Sequence, residues 1–170
     1  MLVFGSAEDV FTMAVRIEEN GRAFYSLAAT RSNDQRVRDL FRDLAAMEEG
    51  HVKAFKQLRS ELADSLSPLP WDPEGLAESY LQATADTHIF TMEAADKRLQ
   101  KEMSVQQVLD VAMQFEKDSV GFFVGMKEIV PDLNGKSEID KLIKAEMDHI
   151  RMLSAVINTL AKTGVAHVPH

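Results

Sequence analysis

Cysteine is absent from this chain of 170 residues. That excludes a disulfide, an all-thiolate metal site and thiol chemistry, and it suits a reducing compartment such as the cytoplasm. Proline is scarce, with five residues, and glycine is limited to eight; most of these thirteen residues, taken together, fall in a few short stretches, leaving long segments between them. Positive charge is in the minority, 19 Lys and Arg against 27 Asp and Glu for a formal net charge of -8. No basic cluster stands out, so a nucleic-acid surface is not expected. No apolar run approaches the length of a membrane span, and the opening MLVFGSAEDV has no basic segment leading into a long apolar one. Neither membrane insertion nor an export signal is therefore expected. The length suits one domain over residues 1–170, in the cytoplasm.

What is present is apolar spacing of three and four residues, the period of an amphipathic helix, in four segments. Strand-like alternation is missing. The spacing predicts an all-α chain with helices over about 7–30, 33–65, 104–130 and 137–163. A capping signal opens each: Ser6 with Asp9, Ser32 with Gln35, Ser104 with Gln107, and Ser137 with Asp140. SPLPWDP, then Pro131 with Asn134-Gly135, then Gly164, mark the stops. Short links make antiparallel hairpins of helices one and two and of helices three and four. Residues 66–103 form a long connection, partly helical near Asp72-Pro73 and over THIFTMEAADKRLQKE. Its Leu81, Ile89, Phe90 and Met92 either cover the bundle or serve an interface in a homodimer.

Acids interrupt the apolar stripes. The first helix turns Ala14, Glu18, Gly21, Tyr25 and Ala28 to one face, and the second turns Val37, Phe41, Leu44, Glu48, His51, Phe55, Leu58 and Leu62. The third gives Leu109, Ala112, Glu116, Ser119, Phe123 and Met126; the fourth gives Ile139, Leu142, Glu146, His149, Leu153, Val156 and Leu160. Each stripe holds one Glu. The two halves of the chain repeat: Glu18-x-x-Gly21-x-x-Phe24-Tyr25 matches Glu116-x-x-Ser119-x-x-Phe122-Phe123, and Glu48-x-x-His51 matches Glu146-x-x-His149, 30 positions after the first Glu in both halves.

Each unpaired ion in a core costs several kcal/mol, on the order of 3–5 for a buried charge stripped of its partner, and no Lys or Arg shares these stripes. Two divalent cations would neutralise four carboxylates. Oxygen ligands with one imidazole per metal suit iron or manganese and tolerate zinc, and a Glu-x-x-His pair sets both side chains on one helical face. Glu18, Glu48, His51, Glu116, Glu146 and His149 are thus the candidate ligands of a dimetal site. Tyr25, on the Glu18 face, is either a hydrogen-bond donor to a ligand carboxylate or a core aromatic. Glu19, Glu49 and Glu93 read as surface acids, His88, His167 and His170 as ordinary histidines, and the nine methionines as core filling.

The segments EENGRAFY, LAAMEEGHVKAF, QFEKDSVGFF and KAEMDHIRML resemble the rubrerythrin family of the ferritin-like superfamily, over about residues 8–162. The resemblance implies a ferritin-like four-helix bundle of two hairpins joined by a long crossover. It implies Glu18 and Glu116 as terminal ligands, Glu48 and Glu146 bridging two metals, and His51 and His149 holding one metal each. Tyr25 takes the place of the family's supporting tyrosine, and homodimers are common in the family. Two departures narrow this. Typical rubrerythrins add a rubredoxin-like domain built on four cysteines, absent here, and an extra carboxylate where this chain has Ser119.

The expected function is that of a non-haem di-iron oxidoreductase of peroxidase or ferroxidase type, acting on hydrogen peroxide or dioxygen with a separate electron donor. The alternatives are an iron-sequestering protein, a structural metal-binding bundle without turnover, and a hydroxylase.

Overall fold

The computed structural model describes residues 7–62, 79–81, 83, 103–130 and 133–163. These form four long helices, α1 (Ala7–Arg31), α2 (Gln35–Glu61), α3 (Val105–Ile129) and α4 (Leu133–Thr163), with no strand among the described residues. Ser79, Tyr80, Leu81 and Ala83 are helical and belong to the connection between α2 and α3. Ser6, His88, Ile89, Phe90, Met92, Glu93, His167 and His170, each singled out by the sequence, lie outside the described residues. No described helix is long and apolar enough to cross a membrane.

The stripes meet as the periodicity requires. α1 packs on α2 and α3 on α4, and the two hairpins join through α2 on α4 and α1 on α3. The core divides into two apolar clusters. One gathers the start of α1, the end of α2, the end of α3 and the start of α4, with Phe11, Phe55, Phe122, Phe123, Met126 and Ile139. The other gathers the opposite halves, with Phe24, Tyr25, Phe41, Leu44, Phe115 and Leu153. The start of α1 therefore lies beside the end of α3, and the end of α2 beside the start of α4. Both pairs run antiparallel, as a twofold relation between the hairpins demands. Aromatic rings hold each cluster: Phe55 and Phe123 lie 4.8 Å apart between centroids, Tyr25 and Phe41 5.9 Å. Between the clusters lies the layer that carries the acids.

Three helix boundaries differ from the sequence reading. α2 is capped by Asp34, whose side chain accepts from the amides of Arg36 and Val37, rather than by Ser32, whose buried hydroxyl donates to the Asp34 carbonyl. α2 ends at Glu61 and not near 65, because Leu62 leaves helical geometry and turns its side chain into the core. α4 starts at Leu133, four residues before Ser137. Asn134-Gly135 resembles a turn, yet it falls within the first helical turn, where amide groups lack intrahelical partners anyway. Gly135 is there for space: a Cβ on it would meet Val130 Cγ1 at 2.6 Å and Leu62 Cδ1 at 2.9 Å. The hairpin links 32–34 and 130–132 then occupy matching places in the repeat. The capping box at Ser104 and Gln107 is present as read.

The methionines split. Met13 and Met126 are buried in the core, whereas Met47 and Met147 are exposed on the surface of the bundle. Leu81 is buried in the first cluster and covers the bundle. Tyr80 sits over a notch on α3, its ring 2.5 Å from where a Cβ of Gly125 would lie and its hydroxyl donating to the Gly121 carbonyl.

Serine caps that matter should therefore separate from those that do not. Ser104→Ala is expected to cost about 1 kcal/mol through loss of its cap, and Ser137→Ala, inside α4 and exposed, to cost nothing measurable or to stabilise by a few tenths, about 0.3 kcal/mol. Chemical denaturation of the two variants measures the contrast.

Candidate metal centre

Six side chains converge at the midpoint of the bundle. Glu18 comes from α1, Glu48 and His51 from α2, Glu116 from α3, and Glu146 and His149 from α4. Glu18, Glu48, Glu116, Glu146 and His149 are buried, and His51 is the partly exposed member. One helical turn separates the acid from the imidazole in each Glu-x-x-His pair, which brings both to the same layer. One ligand-capable atom from each of Glu48, His51, Glu146 and His149 lies within 4.8 Å of the others.

The contacts follow the repeat. Nδ1 of His51 lies 3.3 Å from Glu18 Oε2, and Nδ1 of His149 lies 3.3 Å from Glu116 Oε2. Glu48 and Glu146 behave differently from these outer acids, because each approaches both imidazoles. Glu48 is 3.4 Å from His51 and 3.4 Å from His149, while Glu146 is 2.8 Å from His51 and 3.2 Å from His149. The two rings stack at 5.1 Å between centroids. The structure thus has two outer acids and two central ones, arranged about an approximate twofold axis.

These groups do not satisfy one another. Glu18 Oε1, both oxygens of Glu48 and Glu146 Oε1 are buried and accept no hydrogen bond. His51 Nδ1 is only 2.8 Å from Glu146 Oε1, yet that oxygen has no hydrogen-bond partner, while the same nitrogen makes a hydrogen-bond contact with Glu18 Oε2 at 3.3 Å. Buried carboxylate oxygens without donors are costly, about 1–3 kcal/mol each or more, and here they converge on one small volume. Hard oxygen donors with one imidazole per half match the donor set of two divalent cations.

Without metal the cluster balances by holding protons. Burial pushes Glu18 well above the usual carboxylate range, and the neighbouring Glu48 and Glu146 add to it. Burial likewise raises Glu116, against the pull of His149, with Glu146 adding. Burial would also raise Glu146, but the imidazoles of His149 and His51 outweigh it and hold this acid ionised. Glu48 is lowered too, burial being overcome by Glu18, His149 and His51. Burial disfavours a charged imidazole, yet the acids around His51 push it up to about 12, and those around His149 raise it as well. The outer acids Glu18 and Glu116 are thus held up, and the central acids Glu48 and Glu146 held down beside two raised imidazoles.

The symmetry is broken at Tyr25. Its hydroxyl, buried and raised well above its ordinary value by burial and by Glu116, donates to Glu116 Oε1. The sequence placed Tyr25 on the Glu18 face, but the phenol crosses to the acid of the other hairpin. The residue matching Tyr25 in the repeat is Phe123, which has no hydroxyl to offer Glu18. Gly21 was read only as part of the repeat. Its missing side chain admits the Phe115 ring, whose Cε1 would lie 2.8 Å from a Cβ there, and Glu48 Cδ would lie at 3.4 Å. Ser119, its counterpart, is buried in α3. Glu19 and Glu49 are outside the cluster and form surface ion pairs, Glu19 with Lys56 at 2.7 Å and Glu49 with Arg22 at 2.5 Å.

A family model of rubrerythrin matches residues 9–157 of the chain. No curated protein matches it significantly. Among solved structures, one from Thermotoga maritima, described as a candidate ferritin-like diiron-carboxylate protein, superposes with a TM-score of 0.68 at 23% sequence identity, covering 91% of this chain and 96% of the other. That likeness bears on the fold, which is the ferritin-like bundle.

Stability of the metal-stripped protein should follow the protons. Glu18, Glu116, His51 and His149 are raised, so their contribution is present below the ordinary values, 4.5 for the acids and 6.5 for imidazole, and is lost as pH climbs toward the folded values. Glu48 and Glu146 are lowered, so theirs is present above 4.5 and lost as pH falls. Chelator-treated protein is expected to melt highest near about pH 5 and progressively lower toward about pH 9. Thermal scans across that range check the slope; a melting temperature that rises throughout would contradict the proton inventory.

Proposed function

The chain belongs to the rubrerythrin family, and from that premise we propose that it is a non-haem dimetal redox protein acting on hydrogen peroxide or dioxygen. Iron is the metal that this reading favours, with manganese or zinc accepted by the same donors. The observation that carries it is the pair of central acids: Glu48 and Glu146 each approach both imidazoles, as shared ligands would. Glu18 with His51 and Glu116 with His149 complete one half each.

When bound, two ferrous ions supply two electrons, one apiece, to the O–O bond of the oxidant. The remaining contributions come from the chain. Glu18, Glu116, His51 and His149, all raised, would give up protons to hold the metals, so affinity would rise with pH. The apolar clusters on either side exclude water from the layer. Tyr25 orients the Glu116 carboxylate through its hydrogen bond and keeps a proton within reach of the site. With no cysteine, the chain has no thiolate-held iron of its own, so electrons arrive from a separate donor. A homodimer is part of the same proposal, to be checked by light scattering.

Anaerobic titration with Fe(II) is expected to saturate at two ions per chain, and subsequent peroxide or oxygen to change the visible spectrum. No change with either oxidant sinks the redox reading; uptake far beyond two irons per chain replaces it with sequestration. Tyr25→Phe should weaken metal affinity by about tenfold while the fold is retained, measured by competition with a chelator.

A further inference from the structure

The hairpin repeat makes the two imidazoles equivalent in sequence, but the structure does not make them equivalent in access. The His51 side chain is 12% exposed and that of His149 only 2%. The cause lies in a cavity of about 650 Å³ between the end of α2 and the start of α4, with His51 on its wall. Ala54 and Ala145 also line it, and their small size leaves the space open. The shift that carries Glu48 to Glu146 carries Ala54 to Met152, while the reverse shift carries Ala145 to Met47. Larger side chains therefore stand wherever the His149 half would have the same opening. The placement of acids differs too. Glu61, Glu138 and Lys141 line the cavity, where the repeat has Thr159, Leu40 and Asp43, so the net charge is the same in both halves but two of the acids stand only on the open side.

We propose that this cavity is the route by which divalent cations enter the site, one-sided and ending at His51. The proposal rests on the metal-site reading above and adds a direction to it. A hydrated cation reaching the bundle meets two carboxylates at the cavity. Lys141, also on the cavity wall, pairs with Glu138 at 2.5 Å, which leaves Glu61, hydrogen-bonded to the neutral Gln57 at 2.7 Å, as the acid of the cavity without a cationic partner among the described residues and thus the one that attracts the ion. Further in, the cation meets His51, the most exposed of the six side chains, before any buried acid. The His149 half then fills through the central acids, Glu48 and Glu146, which face both imidazoles.

The repeat supplies the variant that closes the route. Ala54→Met with Ala145→Met copies the side chains of the closed half into the open one, without touching any of the six convergent residues. Metal-free full-length protein is mixed with Co(II), and uptake is followed by the visible absorption of the bound ion. The double variant is expected to take up cobalt at least about tenfold more slowly than wild type while reaching the same end point of two per chain. Glu61→Gln with Glu138→Gln, which leaves the packing alone, is expected to slow uptake a few-fold and to flatten its dependence on salt. Wild-type rates in both double variants, or in the glutamine variant alone should the methionine variant not fold, overturn the route. A wild-type protein that binds no cobalt overturns the metal site itself.

Discussion

Four carboxylates placed in the middle of an apolar bundle are the constraint on which the rest of this structure depends. Left ionised and unpaired they would cost more than a domain of this size has in net stability, about 5–15 kcal/mol. The fold answers by bringing them together. Each helix contributes one Glu, two helices add a His a turn later, and the aromatic clusters on either side hold the four helices in register. Without metal, burial raises the outer acids while the imidazoles hold the central ones down, and the proposed metal ions would supply the balancing charge when bound.

The same constraint explains why the repeat is only approximate. Identical halves would provide two identical sets of ligands, and the contacts of His51 and His149 come close to that, each within 3.4 Å of one outer and two central acids. The differences are chemical. Tyr25 supports Glu116, and Phe123 stands where Glu18 would need the same support; the small Ala54 and Ala145 stand where the other half has Met152 and Met47. One half is buttressed and closed, the other less supported and open. A pair of metals held in such halves would differ in access and in the stiffness of their outer ligand.

Most of the fold was legible because its signals are local and periodic. The stripes named from spacing alone are buried with few exceptions, His51 and Val156 being half-buried, and the capping box of α3 is where Ser104 and Gln107 put it. The boundary of α4 was misread because Asn134-Gly135 has turn chemistry. Only packing against Leu62 and Val130 shows that Gly135 answers to space and not to backbone conformation. For α2, the spacing points to Ser32 as the cap, but Ser32 turns inward to hold the link and Asp34 takes the cap instead.

The sequence by itself determined the six convergent residues, the two-hairpin repeat and the need for something to neutralise the acids. All three follow from charge type and helical period, which are properties of the chain. Only the tertiary structure decided which acids are central, which hairpin's acid the Tyr25 hydroxyl reaches, and which imidazole is open to the outside. Those depend on how one hairpin lies across the other, where displacements of a few ångströms between helices select the partner, and no spacing along a single helix encodes them.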